Sequence, residues 1–315
     1  MAERASMRVA YGKALADLGG VNLKVVVLDA DVSASTQSHF FAACFPERFF
    51  NLGVAEAGMV DVAVGLALGG KVPFANTFAF LLSLRAAEQI RTCVAYAQTN
   101  VKLAAGYAGL SDSYDGPTHH SVCDLAVMRA MPNLAVVVPA DAVEAGQAVR
   151  AVAEYPGPVY LRLSRAEVPV IFDERHPFRI GKGVLLRGGS DLTLIGTGIM
   201  VARCLDAAEE LAGEGIEARV VEIHTLKPLD QALILRCARE TGGLVSAEEH
   251  SVIGGLGSAV AEVLGERLPV PLQRVGLQDC FTETGGYDEL LARYGLDTGH
   301  IVAAARQVLK RKEAL

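Results

Sequence analysis

Tryptophan is absent from this chain of 315 residues, and aromatic residues make up only 6% of it. A core poor in large rings has to be built from smaller aliphatic side chains. The abundance of Ala, Val and Gly then points to closely packed strands and helices joined by tight turns. No apolar run reaches the roughly eighteen residues a membrane-spanning helix needs, which excludes a membrane span. No Cys-x-x-Cys pair occurs. Cys44, Cys93, Cys123, Cys204, Cys237 and Cys280 are scattered, which suits buried thiols in a reducing cytoplasm better than a disulfide framework or a zinc site. An excess of basic charge is also missing. The net charge of −7 argues against a nucleic-acid binder, which would carry a basic patch or stripe. The first residues lack the apolar core of a signal peptide. There is no Walker A sequence and no Gly-x-Ser-x-Gly nucleophile elbow, which weakens a hydrolase reading.

With 51% hydrophobic and 21% charged residues, the chain has the balance of a compact folded protein, and its length suggests two domains. Short β-branched runs alternate with helical patterns from end to end. Strands are expected at 24–28, 72–76, 101–105, 134–138 and 159–163, with helices around 35–45, from Glu56 to Gly69, over 78–98, near 121–131 and from Asp141. Between 166 and 183 prolines, glycines and charges break the pattern, as in a linker or strand pair. Strands at 191–196, 218–222 and 243–247 follow, each leading into a helix. Strands separated by such helices imply right-handed crossovers and mostly parallel sheets. The expected fold is α/β, with two three-layer domains at 1–170 and 183–315 joined by a linker at 171–182.

Four places could carry chemistry. Glu56 is the lone acid in the run Asn51-Leu-Gly-Val-Ala-Glu-Ala-Gly-Met-Val60. A carboxylate with few water neighbours resists ionisation and suits proton exchange with a bound ring or substrate. Equally, it could face solvent at a subunit edge or be paired. The loop Gly109-Leu-Ser-Asp-Ser-Tyr-Asp-Gly-Pro-Thr-His-His120 follows a strand and precedes a helix, where open α/β sheets place ligands. Its histidines either donate to a substrate or decorate a surface turn, with Thr118 or Ser121 available to cap the next helix. No third ligand lies at helical spacing from the histidine pair, so no metal site is expected there. Asp31, Ser33 and Ser35 form an acid-hydroxyl cluster at the end of the first strand. Arg165, at another strand end, could capture a phosphate or carboxylate, or could simply be solvated. The glycine-rich stretches 196–198 and 254–258 lack the full dinucleotide-binding fingerprint and read as packing turns.

In order along the chain, Asp31-Val-Ser-Ala-Ser35, Asn51–Met59, Pro73-Phe-Ala-Asn-Thr-Phe78, Glu88-Gln-Ile-Arg91, Asp115-Gly-Pro-Thr-His119, Met131-Pro-Asn133, Gly157–Arg165, Leu226-Lys-Pro-Leu-Asp230 and Glu248-Glu-His250 resemble the transketolase family of thiamine-diphosphate enzymes. The resemblance spans nearly the whole chain but only the C-terminal half of a transketolase: the pyrimidine-binding domain followed by the C-terminal domain. It implies one subunit of a split enzyme that transfers a two-carbon ketol unit between sugars. The family's Gly-Asp-Gly motif, which helps hold the cofactor diphosphate and Mg2+, is absent here. A partner chain, the N-terminal transketolase subunit, would supply it, and a heterotetramer with two copies of each chain is the implied assembly. Glu56 then matches the acid that hydrogen-bonds the aminopyrimidine ring, with His119 as the second catalytic residue. Asp31, Phe78, Phe80 and Leu81 would lie at the cofactor, and Ser35, Tyr107, Asp115, His119 and Arg165 at the substrate.

Leu81 stands where the family often has a second aromatic residue, and Phe80 could compensate. Tyr107 stands eight residues before Asp115, where many members have a histidine that helps bind the substrate phosphate. A neutral phenol donates one hydrogen bond and carries no charge, so recognition of an ordinary phosphorylated sugar should be weaker or altered. Alternatives within the enzyme class are a deoxyxylulose-phosphate synthase-like subunit and the β subunit of a 2-oxoacid dehydrogenase. Outside it stands a scaffold without turnover.

Overall fold

The computed structural model describes residues 3–314. Two parallel-rich sheets carry helices on both faces, as the alternation of strand and helix patterns requires. The larger has seven strands in the order Thr225–Lys227, Ala135–Val137, Val159–Arg162, Lys102–Gly106, Val72–Phe78, Val25–Asp29 and Phe49–Asn51. All neighbours in it are parallel except the first pair. The smaller has five strands, Leu272–Leu277, Leu244–Ser251, Leu192–Gly196, Ala218–Glu222 and Val184–Arg187, and only the last pair is antiparallel. Arg4–Ser6 and Glu167–Pro169 form a separate antiparallel pair. Residues 171–182 contain neither helix nor strand.

The strands read as unbroken apolar runs because both faces are covered. Successive side chains point to opposite sides. Val25 and Val27 join Met7, Tyr11 and Leu15 of the Met7–Val21 helix in one core. Val26 and Leu28 join Met59 and Val60 of the Glu56–Leu68 helix in the other. Helix starts follow local capping chemistry. Asp141 accepts from Glu144 N at 2.9 Å, and Asp230 accepts from Leu233 N at 3.1 Å.

Several local expectations need correction. The helix over 78–98 is broken: Phe78 still belongs to the strand, and two π-helical stretches, Leu81–Arg85 and Ile90–Tyr96, flank a short α-turn. Such widened turns are rare and often accompany functional sites. The 35–45 helix is two short pieces, Ser33–Thr36 and His39–Cys44. Neither Thr118 nor Ser121 caps the next helix, which begins at Asp124 after Cys123 with no side-chain cap. The six cysteines are unpaired, but only Cys204 and Cys237 are buried, and Cys44 and Cys280 are exposed. No helix among the described residues is long and apolar enough to cross a membrane. The strand Thr225–Lys227 could not be foreseen from periodicity, because it leaves the second half of the chain to extend the first sheet.

Candidate active site

The expected residues gather along the C-terminal edge of the seven-stranded sheet. Glu56 opens its helix and is 1% exposed, although its neighbours Val54 and Ala55 are exposed. It is not solitary, however. Arg85 Nη1, on a side chain 52% exposed, lies 2.9 Å from Glu56 Oε2. Oε1 makes no hydrogen bond among the described residues. The pair ties the start of the Glu56 helix to the π-helical stretch that follows Phe78. The carboxylate is thereby held in one orientation with an oxygen to spare.

Two aromatic residues of the neighbouring strand end reach Tyr107 and the 109–120 loop. Phe78 stacks on Tyr107 with ring centroids 4.3 Å apart, and Phe80 lies 4.9 Å from the His119 ring. Leu81 is buried beside them in sequence. Tyr107 itself sits in the left-handed region at φ 59° and is flanked by two guanidinium groups. Arg8 Nη1 donates to its hydroxyl at 3.0 Å, and the Arg8 and Arg165 groups lie 5.2 and 5.1 Å from its ring centroid. Arg8 Nη1 also donates to Ser35 O at 2.7 Å, while Arg8 Nε is buried without a partner. The charge that tyrosine lacks is therefore supplied by its neighbours. Cation–π contact with a desolvated ring adds about 1–2 kcal/mol to holding such an arginine.

Arg165 is engaged rather than merely solvated, since its Nη1 donates to Asp112 Oδ1 at 2.9 Å. Asp112 is fully buried and its Oδ2 has no partner. Burial, with help from the charge of Asp115, raises its carboxyl to about 6, while Arg165 and His119 pull the other way. Asp112, Asp115, His119 and Arg165 are thus electrostatic neighbours. Asp115 is exposed, and His119 Nδ1 meets Thr118 Oγ1 at 3.0 Å.

Asp31 is the least integrated of the expected residues. It is exposed, with φ at 67°, and accepts a hydrogen bond from Asn51 Nδ2 at 2.8 Å. The structural acid of that strand end is Asp29, which accepts from Val32 N, Thr36 Oγ1 and Ser38 Oγ at 2.6, 2.9 and 2.8 Å. Sequence reasoning missed Arg8, Arg85 and Asp112. Only Asp112 carried a usable signal, as the first acid of the loop between Gly109 and His120.

The loop is gripped from below by the second sheet. Glu249 Oε1 accepts from Leu110 N and from Tyr287 Oη, both at 2.8 Å. His120 Nδ1 lies 2.5 Å from Thr282 Oγ1, and Gly285 N donates to Ser113 O at 3.2 Å. Burial lowers His120's affinity for a proton. Gly109 is irreplaceable at φ 63°, because a Cβ there would stand 2.3 Å from the Glu249 carboxyl carbon.

Comparison with known families places this geometry. Residues 3–170 match the transketolase pyrimidine-binding domain, and residues 181–301 match the transketolase C-terminal domain. The chain belongs to the transketolase family. It is 45% identical to the 6-deoxy-6-sulfo-D-fructose transketolase subunit SqwH of Clostridium sp. (strain MSTE9), over 97% of this chain and 95% of that protein. It is 36% identical to an apulose-4-phosphate transketolase subunit of Phocaeicola vulgatus, over 96% and 97% respectively. A solved structure described as a split gene transketolase, inactive beta4 tetramer, superposes with a TM-score of 0.92 at 50% identity, covering 98% of this chain and 99% of that one. The chain thus corresponds to the C-terminal half of a transferase of the transketolase type, and these relatives are named as subunits of split enzymes or of transketolases. Its family implies use of thiamine diphosphate.

Proposed function

We propose that this subunit, joined to an N-terminal subunit bearing the diphosphate-binding domain, transfers a two-carbon ketol unit from an anionic ketose to an aldose. The observation that carries the reading is continuity. A buried acid with a free oxygen, an aromatic wall and a two-arginine anion site follow one another along a single sheet edge. The residues fit the ring end of thiamine diphosphate. Glu56 would bond the ring nitrogen, with Phe78, Phe80 and Leu81 lining its apolar surroundings and Asp31 at the rim. They do not provide for the diphosphate or Mg2+, since the chain has no Gly-Asp-Gly. When bound, the cofactor supplies the reactive carbon that takes up the two-carbon unit.

Each protein group then has a task. Glu56 holds or releases a proton at its free oxygen, while Arg85 keeps the carboxylate from turning away. His119 and Asp115 hydrogen-bond sugar hydroxyls, and His119 moves a proton at the sugar oxygen. Arg8, Arg165, Ser35 and the Tyr107 hydroxyl receive the terminal anion, for which planar guanidinium groups are well suited. The names of the two relatives concern a sulfonated and a phosphorylated sugar, which supports an anionic substrate. The description of the similar β4 assembly as inactive supports the need for a partner, and a tetramer with two copies of each chain is the assembly we expect. The unpaired cysteines agree with a cytoplasmic setting. A division of the chain at 171–182 agrees with the absence of regular structure there.

Mixing experiments test this. The isolated chain should show no ketol transfer, and activity should appear on adding the partner, thiamine diphosphate and Mg2+. Substantial transfer by the chain alone would refute the split arrangement. With the assembled enzyme, sulfonated, phosphorylated and uncharged ketoses are compared as donors, and the uncharged one should be poorest. Tyr107→His should shift the preference between the two anions, and an unchanged profile would remove tyrosine from the specificity site.

A further inference from the structure

Away from the sheet edge, an unusual group of side chains lies where three segments meet. Glu144 is in the first turn of the Ala142–Glu154 helix, Glu222 ends the Ala218–Glu222 strand, and His176 comes from the irregular stretch between the sheets. One ligand atom from each lies within 4.8 Å of the other two. His176 Nε2 is 3.2 Å from Glu144 Oε1, and Glu144 Oε2 accepts from Ala140 N at 2.9 Å. Glu222 is fully buried, and neither of its carboxylate oxygens has a hydrogen-bond partner. Asp141, also buried, adds a third acid, whose oxygens are taken by backbone N–H groups.

Among the described residues, no lysine or arginine pairs with any of these acids. Asp124 presents the opposite case, because its buried carboxylate has Arg162 Nε at 2.8 Å. Leaving carboxylates unpaired in a protein interior costs several kcal/mol each unless a proton or a cation neutralises them.

We propose that Glu144, His176 and Glu222 form a binding site for a divalent first-row transition-metal cation, with zinc favoured by the donor set. One imidazole nitrogen and two carboxylate oxygens are ligands that zinc accepts, with water or the second Glu222 oxygen completing a tetrahedron. Zinc bonds of about 2.0–2.2 Å set neighbouring ligand atoms roughly 3.3–3.5 Å apart. His176 Nε2 and Glu144 Oε1, 3.2 Å apart, already stand near that spacing, so the Glu222 oxygen needs to close by at most about 1.5 Å. Side-chain rotation covers that distance. The His176 side chain, 11% exposed, leaves a path from solvent. A bound ion would staple the first sheet's helix layer, the connecting segment and the second sheet. It lies outside the ketol-transfer site and does not depend on that activity.

The full chain, stripped with chelator and desalted, is titrated with zinc and separately with Co2+. About one zinc per chain should remain after desalting, and zinc should raise Tm by several degrees through preferential binding to the folded state. Cobalt should give visible absorption without a thiolate charge-transfer band, which sets this site apart from the free cysteines. Glu222→Gln, nearly isosteric, should lose both the retained zinc and the Tm shift. His176→Ala should weaken binding by at least about tenfold. A stripped chain that retains no zinc and shows no zinc-dependent Tm shift overturns the site, leaving Glu144 and Glu222 to share a proton. Retention unchanged in both variants, or a thiolate band, moves the ion elsewhere and overturns it equally.

Discussion

The two sheets use the carboxyl ends of their strands in opposite ways. Both have the parallel topology that opens a crevice there. In the seven-stranded sheet the crevice stays available: Glu56 keeps one oxygen free, Phe78 and Phe80 remain half-buried, and Arg8 and Arg165 gather around Tyr107. In the five-stranded sheet the chain fills its own crevice. Glu248 accepts from Leu256 N and Gly257 N at 2.7 and 2.8 Å, occupying the helix start where a phosphate would otherwise sit. A Cβ on Gly255 would come within 1.9 Å of Glu248 Oε2, so the glycine-rich turn serves this internal contact. Glu249 reaches across to hold the 109–120 loop. One topology leaves an open crevice in the first half and forms a clamp in the second, and the difference lies in whether buried acids find partners within the chain.

Substitutions can break that contrast. Glu56→Gln in the assembled enzyme should lower kcat by about 10²-fold or more, because a positioned proton donor or acceptor contributes that much, with little loss of stability. Near-normal turnover would return Glu56 to a structural role. Arg162→Met should do the reverse. Arg162 pairs with Asp124, and burial, which would raise that carboxyl, is outweighed by Arg162, which holds it low. Removing one member of a buried pair typically costs about 3–5 kcal/mol, readable from denaturant unfolding. An unchanged unfolding midpoint would show that the seam between the sheets does not depend on this pair.

The last test concerns pH. Burial is the main cause that lifts both Glu248 and Glu249 to about 7, against the pull of backbone donors, Tyr287 and Arg162. With folded values above unfolded ones, their stabilising contribution is complete below the ordinary carboxylate range and is lost as pH rises through about 7. Tm should therefore fall between about pH 5 and pH 8. Glu249→Gln should make that fall shallower without abolishing it, since Glu248 still titrates. A parallel Tm profile would mean that Glu249 does not titrate in this range.

Much of the fold was legible because strand burial leaves a local mark. The unbroken run at 25–28 and the helix start at Asp141 act within a few residues. The 78–98 segment misled because helical periodicity does not distinguish α from π turns. The residues around Glu56 left open whether it was buried or faced solvent, while the order of motifs gave the family. Arg85 was out of reach, because its pairing with Glu56 spans 29 positions. Arg8 was further still, meeting Tyr107 across 99.

The sequence by itself determined the alternation of strands and helices, the apolar surroundings of Glu56, the missing diphosphate motif and the membership of a transketolase half. These depend on short-range pattern and composition. Only the tertiary structure decided which buried acid is paired, which is spare and which is used as a clamp. A carboxylate's role is set by the donors that packing brings to it from distant parts of the chain, and neither Glu56, Asp112, Glu222 nor Glu249 carries that information locally.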